Sequence, residues 1–484
     1  MNKPRSSFRV TAALTLAGSL MLSGCMVGPD YAAPELDVPS AWSKASSEAS
    51  ADTLENLSQW WVKFDDPVLD ELIAQAMANN PDRDIALARV REARARLRSS
   101  QADLLPQASV DGTGTTNQVA TFLGQVIEFD QYDTGFDASW EIDIFGKTRR
   151  SIESSKASIE ASQADYVDVM TSLVAEVART YVDIRSFEAR LVVARDSITV
   201  QEQSLALVRA RTAAGFVSGL DFEQAKANLE STRAQIPALE RDRQQAINRL
   251  ATLLGKAPQA FSLSERSAGQ IPAAPRTLAL GIPAEALRQR GDVRSAERNL
   301  AAQNARIGVA KASLYPSFSL FGSIGTAADD PSGLFGSNTQ TSLLGGSLTA
   351  PVLDAGRLQA NVRAEEAIYD RVLATYQKTV LDALREVEDA LISHEAAIER
   401  VANLEAALKA SSRASRFAQR EYEVGTKGFD RFLDAERSRL SFADQLVLNE
   451  AAEAQALIAL FKSLGGGRSA ASLASSDPEQ GDET

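Results

Sequence analysis

Two stretches dominate the pattern of apolar and polar positions. From Lys147 to Ala214, and again from Arg357 to Val424, the chain runs 68 residues without Gly or Pro, rich in Ala, Leu, Glu, Arg and Ser. Apolar residues recur at spacings of three and four, as at Leu173, Val174, Val177 and Tyr181, which predicts helices. At 1.5 Å per residue each is roughly 100 Å long, far beyond a usual globular helix. Shorter helical patterns stand on either side, Asp82 to Leu105 and Phe429 to Leu464, of 24 and 36 residues. Laid end to end these two reach about 90 Å, so one long helix can pair antiparallel with two short ones stacked coaxially.

Ahead of each long helix lie 37 residues of another character, Gln107 to Asp143 and Ser317 to Leu353. In the first, Phe136, Ala138, Trp140 and Ile142 alternate with Asp137, Ser139, Glu141 and Asp143; in the second, Leu344, Gly346, Leu348, Ala350 and Val352 hold the equivalent face. Period two predicts strands, and each segment holds two of about ten residues plus a loop. Alternation alone fits transmembrane barrel strands and soluble surface hairpins equally well. Four strands cannot close a barrel, since the smallest have about eight, and hydrocarbon does not tolerate open edges. The membrane reading therefore requires an oligomer.

The chain is one unit written twice. At an offset of 210, Ala95-Arg96 aligns with Ala305-Arg306, Pro106 with Pro316, Gly146 with Gly356, Tyr166 with Tyr376, Gly215 with Gly425, and Leu254-Gly255 with Leu464-Gly465. The copies are residues 81–255 and 291–465, each helix, strands (107–143 and 317–353), long helix, helix. A connector, 256–290, carries Pro258, Pro272, Pro275 and Pro283, and the tail 466–484 is Ser/Asp/Glu-rich and expected to be disordered. Residues 25–80 form an N-terminal tether and a first helix, with Trp60, Trp61 and Phe64 assigned to core packing ahead of Asp66-Pro67.

The N-terminus adds compartment. Lys3, Arg5 and Arg9 precede an apolar run from Val10 to Leu22, long enough for a signal peptide (1–24) but short of the ~18 residues that span a bilayer. It closes on Leu22-Ser23-Gly24-Cys25, which looks like a lipobox and explains the single Cys of the chain: Cys25 takes a diacylglycerol and an N-acyl lipid, and no other cofactor is expected. Met26 follows, rather than the Asp that often retains lipoproteins at the inner membrane, which favours the outer membrane.

The formal charge of -13, falling to -16 once three signal-peptide cations are removed, argues against nucleic acid. One Cys and one His exclude a disulfide framework and leave almost no basis for metal ligation or a catalytic triad. No nucleotide loop survives inspection, since Gly112-Thr113-Gly114 lacks a strand-to-helix context and Gly465-Gly466-Gly467 opens the polar tail. We therefore expect no enzyme, no catalytic residue and no metal site. His394, between Ser393 and Glu395, is expected to be exposed.

Cys25-Met26-Val27-Gly28-Pro29-Asp30-Tyr31, Trp60-Trp61 with Phe64 and Asp66-Pro67, the tandem repeat, and Tyr422-Glu423-Val424-Gly425-Thr426 leading to Leu433-Asp434-Ala435 together resemble the TolC-like outer-membrane factors. The nearest branch is the lipoprotein (NodT or OprM type) serving resistance-nodulation-division efflux pumps. The resemblance implies a mainly α chain with a transmembrane β part. As a homotrimer it would form one 12-stranded β-barrel and a periplasmic α-helical barrel in the outer membrane of a Gram-negative bacterium. Its function would be a passive exit duct for small molecules, opened by a periplasmic adaptor and an inner-membrane pump. The rival is a lipid-anchored periplasmic coiled-coil scaffold or adaptor without a channel.

By the same resemblance Ala214-Gly215-Phe216 and Val424-Gly425-Thr426 meet the adaptor, and Asp434 holds the place of a carboxylate gate. Asp430, four residues earlier, shares its helix face. The pair reads either as a solvated acidic face or as two stacked rings of carboxylates in a trimer.

Overall fold

The computed structural model describes residues 26–35, 42, 57–120, 122, 124–273, 287–288 and 290–467. The signal peptide, Cys25 and the tail beyond 467 lie outside the described residues. The helices are α1 (Pro67–Asn79), α2 (Pro81–Ala102), α3 (Lys147–Ala213), α4 (Gly219–Arg233), α5 (Gln235–Leu253), α6 (Gly291–Ala312), α7 (Arg357–Glu423) and α8 (Phe429–Ser463). The strands are β1 (Gln107–Ala120), β2 (Val126–Ile142), β3 (Ser317–Ala328) and β4 (Gln340–Thr349). Both long helices, α3 and α7, have 67 residues. The chain divides into two compact units, one of residues 1–35, 89–163 and 295–377, the other of 36–88, 164–294 and 378–484.

The first unit holds a four-stranded antiparallel sheet in the order β1-β2-β3-β4, so β1 and β4 are open edges. Val110 opposite Phe136, and Phe136 opposite Ile324, share one face with Leu320, Leu344 and Leu348, and all six are exposed. Over the part where β2 pairs with β3 the other face carries Ser109, Asp111, Thr113, Asp133, Asp137 and Glu141, with Phe321 and Leu343 as apolar exceptions. A soluble hairpin would bury such an apolar face; one left open across a whole sheet suits lipid. Among the described residues no helix is long and apolar enough to cross a membrane.

Residues 26–35 are neither helix nor strand, as Gly28, Pro29 and Pro34 dictate, but they are not loose. The buried Arg150 donates to the carbonyls of Val27 (3.1 Å) and Gly28 (3.2 Å) and to the Asp30 carboxylate (2.9 Å). Asn304 donates to the Pro29 carbonyl at 2.9 Å, and the Tyr31 hydroxyl donates to Glu297. Gly28 has φ +101°, and a Cβ there would stand 2.5 Å from Gly308 Cα.

In the second unit Trp60 stacks on Phe461, ring centres 5.2 Å apart, and Trp60, Trp61 and Phe64 are buried as expected. Asp66 caps α1, accepting from the Val68 N–H at 2.9 Å and from the Tyr181 hydroxyl at 2.6 Å. The stripe Leu173, Val174, Val177 and Tyr181 is buried. The repeat symmetry breaks at one proline. Pro237 has no N–H to give the Arg233 carbonyl, and the helix stops at Ala234 before restarting as α5. Val447 holds the equivalent position, and α8 runs unbroken for 35 residues.

The expectation for His394 is overturned, because the residue is only 6% exposed. It continues the inward stripe of α7, Val387, Leu391 and Val401, at helical spacing. Its polar sequence neighbours point elsewhere.

Candidate functional site

The two helical turns that join α3 to α4 and α7 to α8 share one geometry. Helix α3 ends with Gly215 N–H on the Thr212 carbonyl (3.0 Å) and Phe216 N–H on the Arg211 carbonyl (2.9 Å); α7 ends with Gly425 on Tyr422 (3.0 Å) and Thr426 on Glu421 (2.9 Å). This is the Schellman closure, which needs a left-handed residue. Gly215 and Gly425 supply it at φ +78° and +79°, with nothing within 4 Å of where a Cβ would stand. Conformation, not space, demands glycine there.

What the turns present is apolar. Phe216 is 82% and Val424 73% exposed, and Ala214, Gly215, Gly425 and Thr426 are exposed with them. After the first turn Ser218 caps α4 in a capping box with Asp221; after the second, Gly428 stands at the same place without a side-chain cap. Arg211 ties the turns together, donating to the carbonyls of Tyr422 (2.7 Å) and Glu423 (2.6 Å). Behind them Val208, Ala225, Tyr422, Phe429, Phe432 and Leu433 form a buried cluster. Burial raises the Tyr422 phenol above its ordinary value.

Asp430 and Asp434 are both exposed, on the side of α8 away from Phe429, Phe432 and Leu433. Neither carboxylate forms an ion pair with a described residue. Arg437, a nearby candidate for neutralising them, instead donates to the Asn228 side chain at 3.0 Å. Asp430 and Asp434 thus stand free on one face, as either reading of the pair requires.

One residue of this region is absent from the sequence reasoning. Glu436 is buried, accepts from the Ser415 hydroxyl at 2.7 Å, and is gripped by Arg439, which also reaches the Ser197 hydroxyl at 3.3 Å. Its hydrogen bond holds the Arg439 guanidinium above its ordinary value. The signal was available: Phe429, Phe432, Leu433 and Glu436 follow helical spacing, so Glu436 belongs to the inward stripe. Among the described residues no group of three or more His, Cys, Asp and Glu is placed to hold a metal ion.

Comparison with known proteins adds identity to this geometry. A family model described as outer membrane efflux protein matches residues 72–256 and 282–466, two matches displaced by the same 210 residues. The chain is 33% identical to outer membrane protein OprJ of Pseudomonas aeruginosa, over 96% of this chain and 97% of that one. It is 32% identical to nodulation protein T of Rhizobium leguminosarum bv. trifolii, over 89% of this chain and 92% of that one. Among solved structures the outer-membrane channel OprN is similar, with TM-score 0.84 and 34% identity over 92% of this chain and 99% of that one.

Proposed function

Because the chain belongs to the outer membrane efflux protein family, the trimeric channel component of tripartite pumps in Gram-negative bacteria, we propose how its own residues anchor, close and connect that duct. Three copies, each with a four-stranded sheet and two open edges, satisfy every edge in one 12-stranded barrel, which a single copy cannot do. The exposed apolar face of the sheet meets lipid, and the helices enclose the periplasmic passage.

Cys25 carries the lipid. One residue further, Met26 lies against Gly146, at the junction of β2 and α3. The passage is passive, and the inner-membrane resistance-nodulation-division pump selects the small-molecule cargo. The turns at 214–216 and 424–426 receive the periplasmic adaptor, and Asp434, with Asp430, lines the gate just inside.

The observation that carries this reading is the pair of equivalent turns, each exposing an apolar residue on rigid Schellman geometry. Phe216→Asp together with Val424→Asp should leave trimer abundance in the outer membrane unchanged, abolish co-purification of the adaptor, and remove efflux-dependent resistance. Normal adaptor recovery with the double variant would place the contact elsewhere.

A further inference from the structure

Hairpin β1–β2 reverses the polarity of its two faces part-way along. From Gln107 opposite Ser139 to Thr115 opposite Gln131, the odd-numbered face holds Asp111, Asp133 and Asp137, while the even-numbered face holds Ala108, Val110, Phe136 and Ala138, with Thr134 as its polar exception. The register continues without a bulge to Ala120 opposite Val126, so alternation is preserved. Beyond residue 131 the odd face instead holds Val119, Ile127 and Phe129, and the even face holds Thr116, Gln118, Glu128 and Asp130. Asn117, opposite Phe129 on the odd face, and the last pair, Ala120 and Val126, on the even face depart from the reversal. The polar side is a built one, for the Thr116 hydroxyl donates to Asp130 at 2.7 Å.

The reversed part rises alone. Strand β2 pairs with β3 only from Tyr132 to Ile142, so its six residues 126–131 extend about 20 Å past the neighbouring strand. The other ends of these strands lead into helices, which places the reversed ribbon at the extracellular end. Lipid cannot cover it, because its lipid-side face carries Glu128 and Asp130. Yet Val119, Ile127 and Phe129 are 43–52% exposed in one chain, and Phe122 at the turn is 96% exposed. A free ribbon with that apolar face on the channel side invites aggregation.

We infer that the three β1–β2 ribbons of the trimer bend over the extracellular mouth and pack Val119, Ile127 and Phe129 against one another as an apolar constriction. The occupant of this face is a second copy of the same chain, because the face continues the inner surface of the barrel that the copies build together. Twelve strands about 4.8 Å apart and tilted about 40° enclose a radius of about 12 Å, so a ribbon of about 20 Å reaches the axis. Apolar constrictions close to ions by dewetting and part for apolar or amphipathic cargo. The ring would thus be a second barrier in addition to the one proposed at Asp434. The inference rests on the trimeric duct proposed above.

The test uses the full-length lipidated protein in outer membranes, with Ile127→Cys and Glu128→Cys as single variants and the unsubstituted protein reporting any labelling at Cys25. Ile127→Cys should form an inter-protomer disulfide under copper-phenanthroline and react with a membrane-impermeant maleimide at least tenfold more slowly than Glu128→Cys. Equal labelling rates without cross-linking would show free ribbons and overturn the inference. Protection that vanishes on stripping lipopolysaccharide, again without cross-linking, would overturn it too. The heat-sensitive trimer band on the same gels separates these outcomes from failure of the trimeric duct itself.

Discussion

Arg211 and Tyr422 belong to different repeats, yet the Arg211 guanidinium donates to the Tyr422 carbonyl at 2.7 Å and lies 4.7 Å from the centre of its ring. The acceptor is at the C-terminus of α7, where unpaired carbonyls concentrate negative charge. One cation thus fills two needs, capping α7 and covering an aromatic face. The repeat equivalent of Arg211 is Glu421, so the contact exists once per chain.

Arg211→Ala should loosen the two turns from each other. Charge-assisted hydrogen bonds are worth about 1.5–3 kcal/mol each, and Arg211 is half-exposed, so the net loss belongs at the low end. A loss of about 1.4 kcal/mol from the closed arrangement would raise the open fraction about tenfold. Bilayer recordings of the purified trimer should show more frequent openings, while Arg211→Lys, unable to reach both carbonyls in a fork, should fall between. Unchanged gating in the alanine variant would reduce Arg211 to a helix cap.

His394 should make the helical unit acid-sensitive. Burial, the largest influence, holds its imidazole below the ordinary 6.5, against a smaller upward pull from the Glu453 backbone. The unfolded chain therefore protonates first as pH falls, and stability is lost from about pH 6.5 down to the lowered folded value. The half-buried carboxyls of Asp168 and Asp183 are pushed up by desolvation and act in the opposite direction. Only a difference isolates the histidine: His394→Leu should gain in melting temperature relative to wild type between pH 7.5 and pH 5. A constant gap across that range would contradict the assignment.

Punctuation made the architecture legible. The 68-residue stretches without Gly or Pro end one residue beyond the observed helices, because Gly215 and Gly425 are where the backbone turns left-handed. The immediate neighbours of His394, Ser393 and Glu395, are exposed, and only positions three, four and seven residues away reveal the buried stripe it belongs to. The burial of Glu436 likewise follows from its spacing to Phe429, Phe432 and Leu433 rather than from its own polarity. The reversal in β1–β2 was invisible without the register, since Ile127 and Phe129 keep the period of two and change only its phase. The docking of residues 26–31 depends on Arg150 and Asn304, more than a hundred residues distant, which no local pattern encodes.

Glycines at positive φ should not behave alike on substitution. Gly425→Ala meets only the left-handed strain of about 1–2 kcal/mol, since no atom lies near the new Cβ. Gly28→Ala carries the same strain and drives a methyl into the Gly308 backbone. The N-terminal segment must then leave its site, breaking the bonds from Arg150 and Asn304. Limited proteolysis of purified trimer should cut near residues 26–35 in Gly28→Ala and leave Gly425→Ala intact there. Equal resistance would mean the segment tolerates displacement of Gly308.

The gate follows from like charges brought together. Asp430 and Asp434, exposed on one face of α8, become two stacked rings of three carboxylates if the trimer narrows at its turns. A single pair at 4 Å costs about 1 kcal/mol in water and about 4 at an intermediate dielectric. The closed state must offset this with bound cations, partial protonation or guanidinium groups. Arg437 is occupied with Asn228, which leaves Arg431, exposed and next to Asp430 in sequence, as a counter-charge. Asp434→Ala alone need not open the duct, because it removes the repulsion together with whatever the carboxylates bind. It should lower cation selectivity and abolish block by divalent or trivalent cations added from the periplasmic side in bilayer recordings. If both survive in Asp430→Ala/Asp434→Ala, the pair is a solvated helix face and the constriction lies elsewhere.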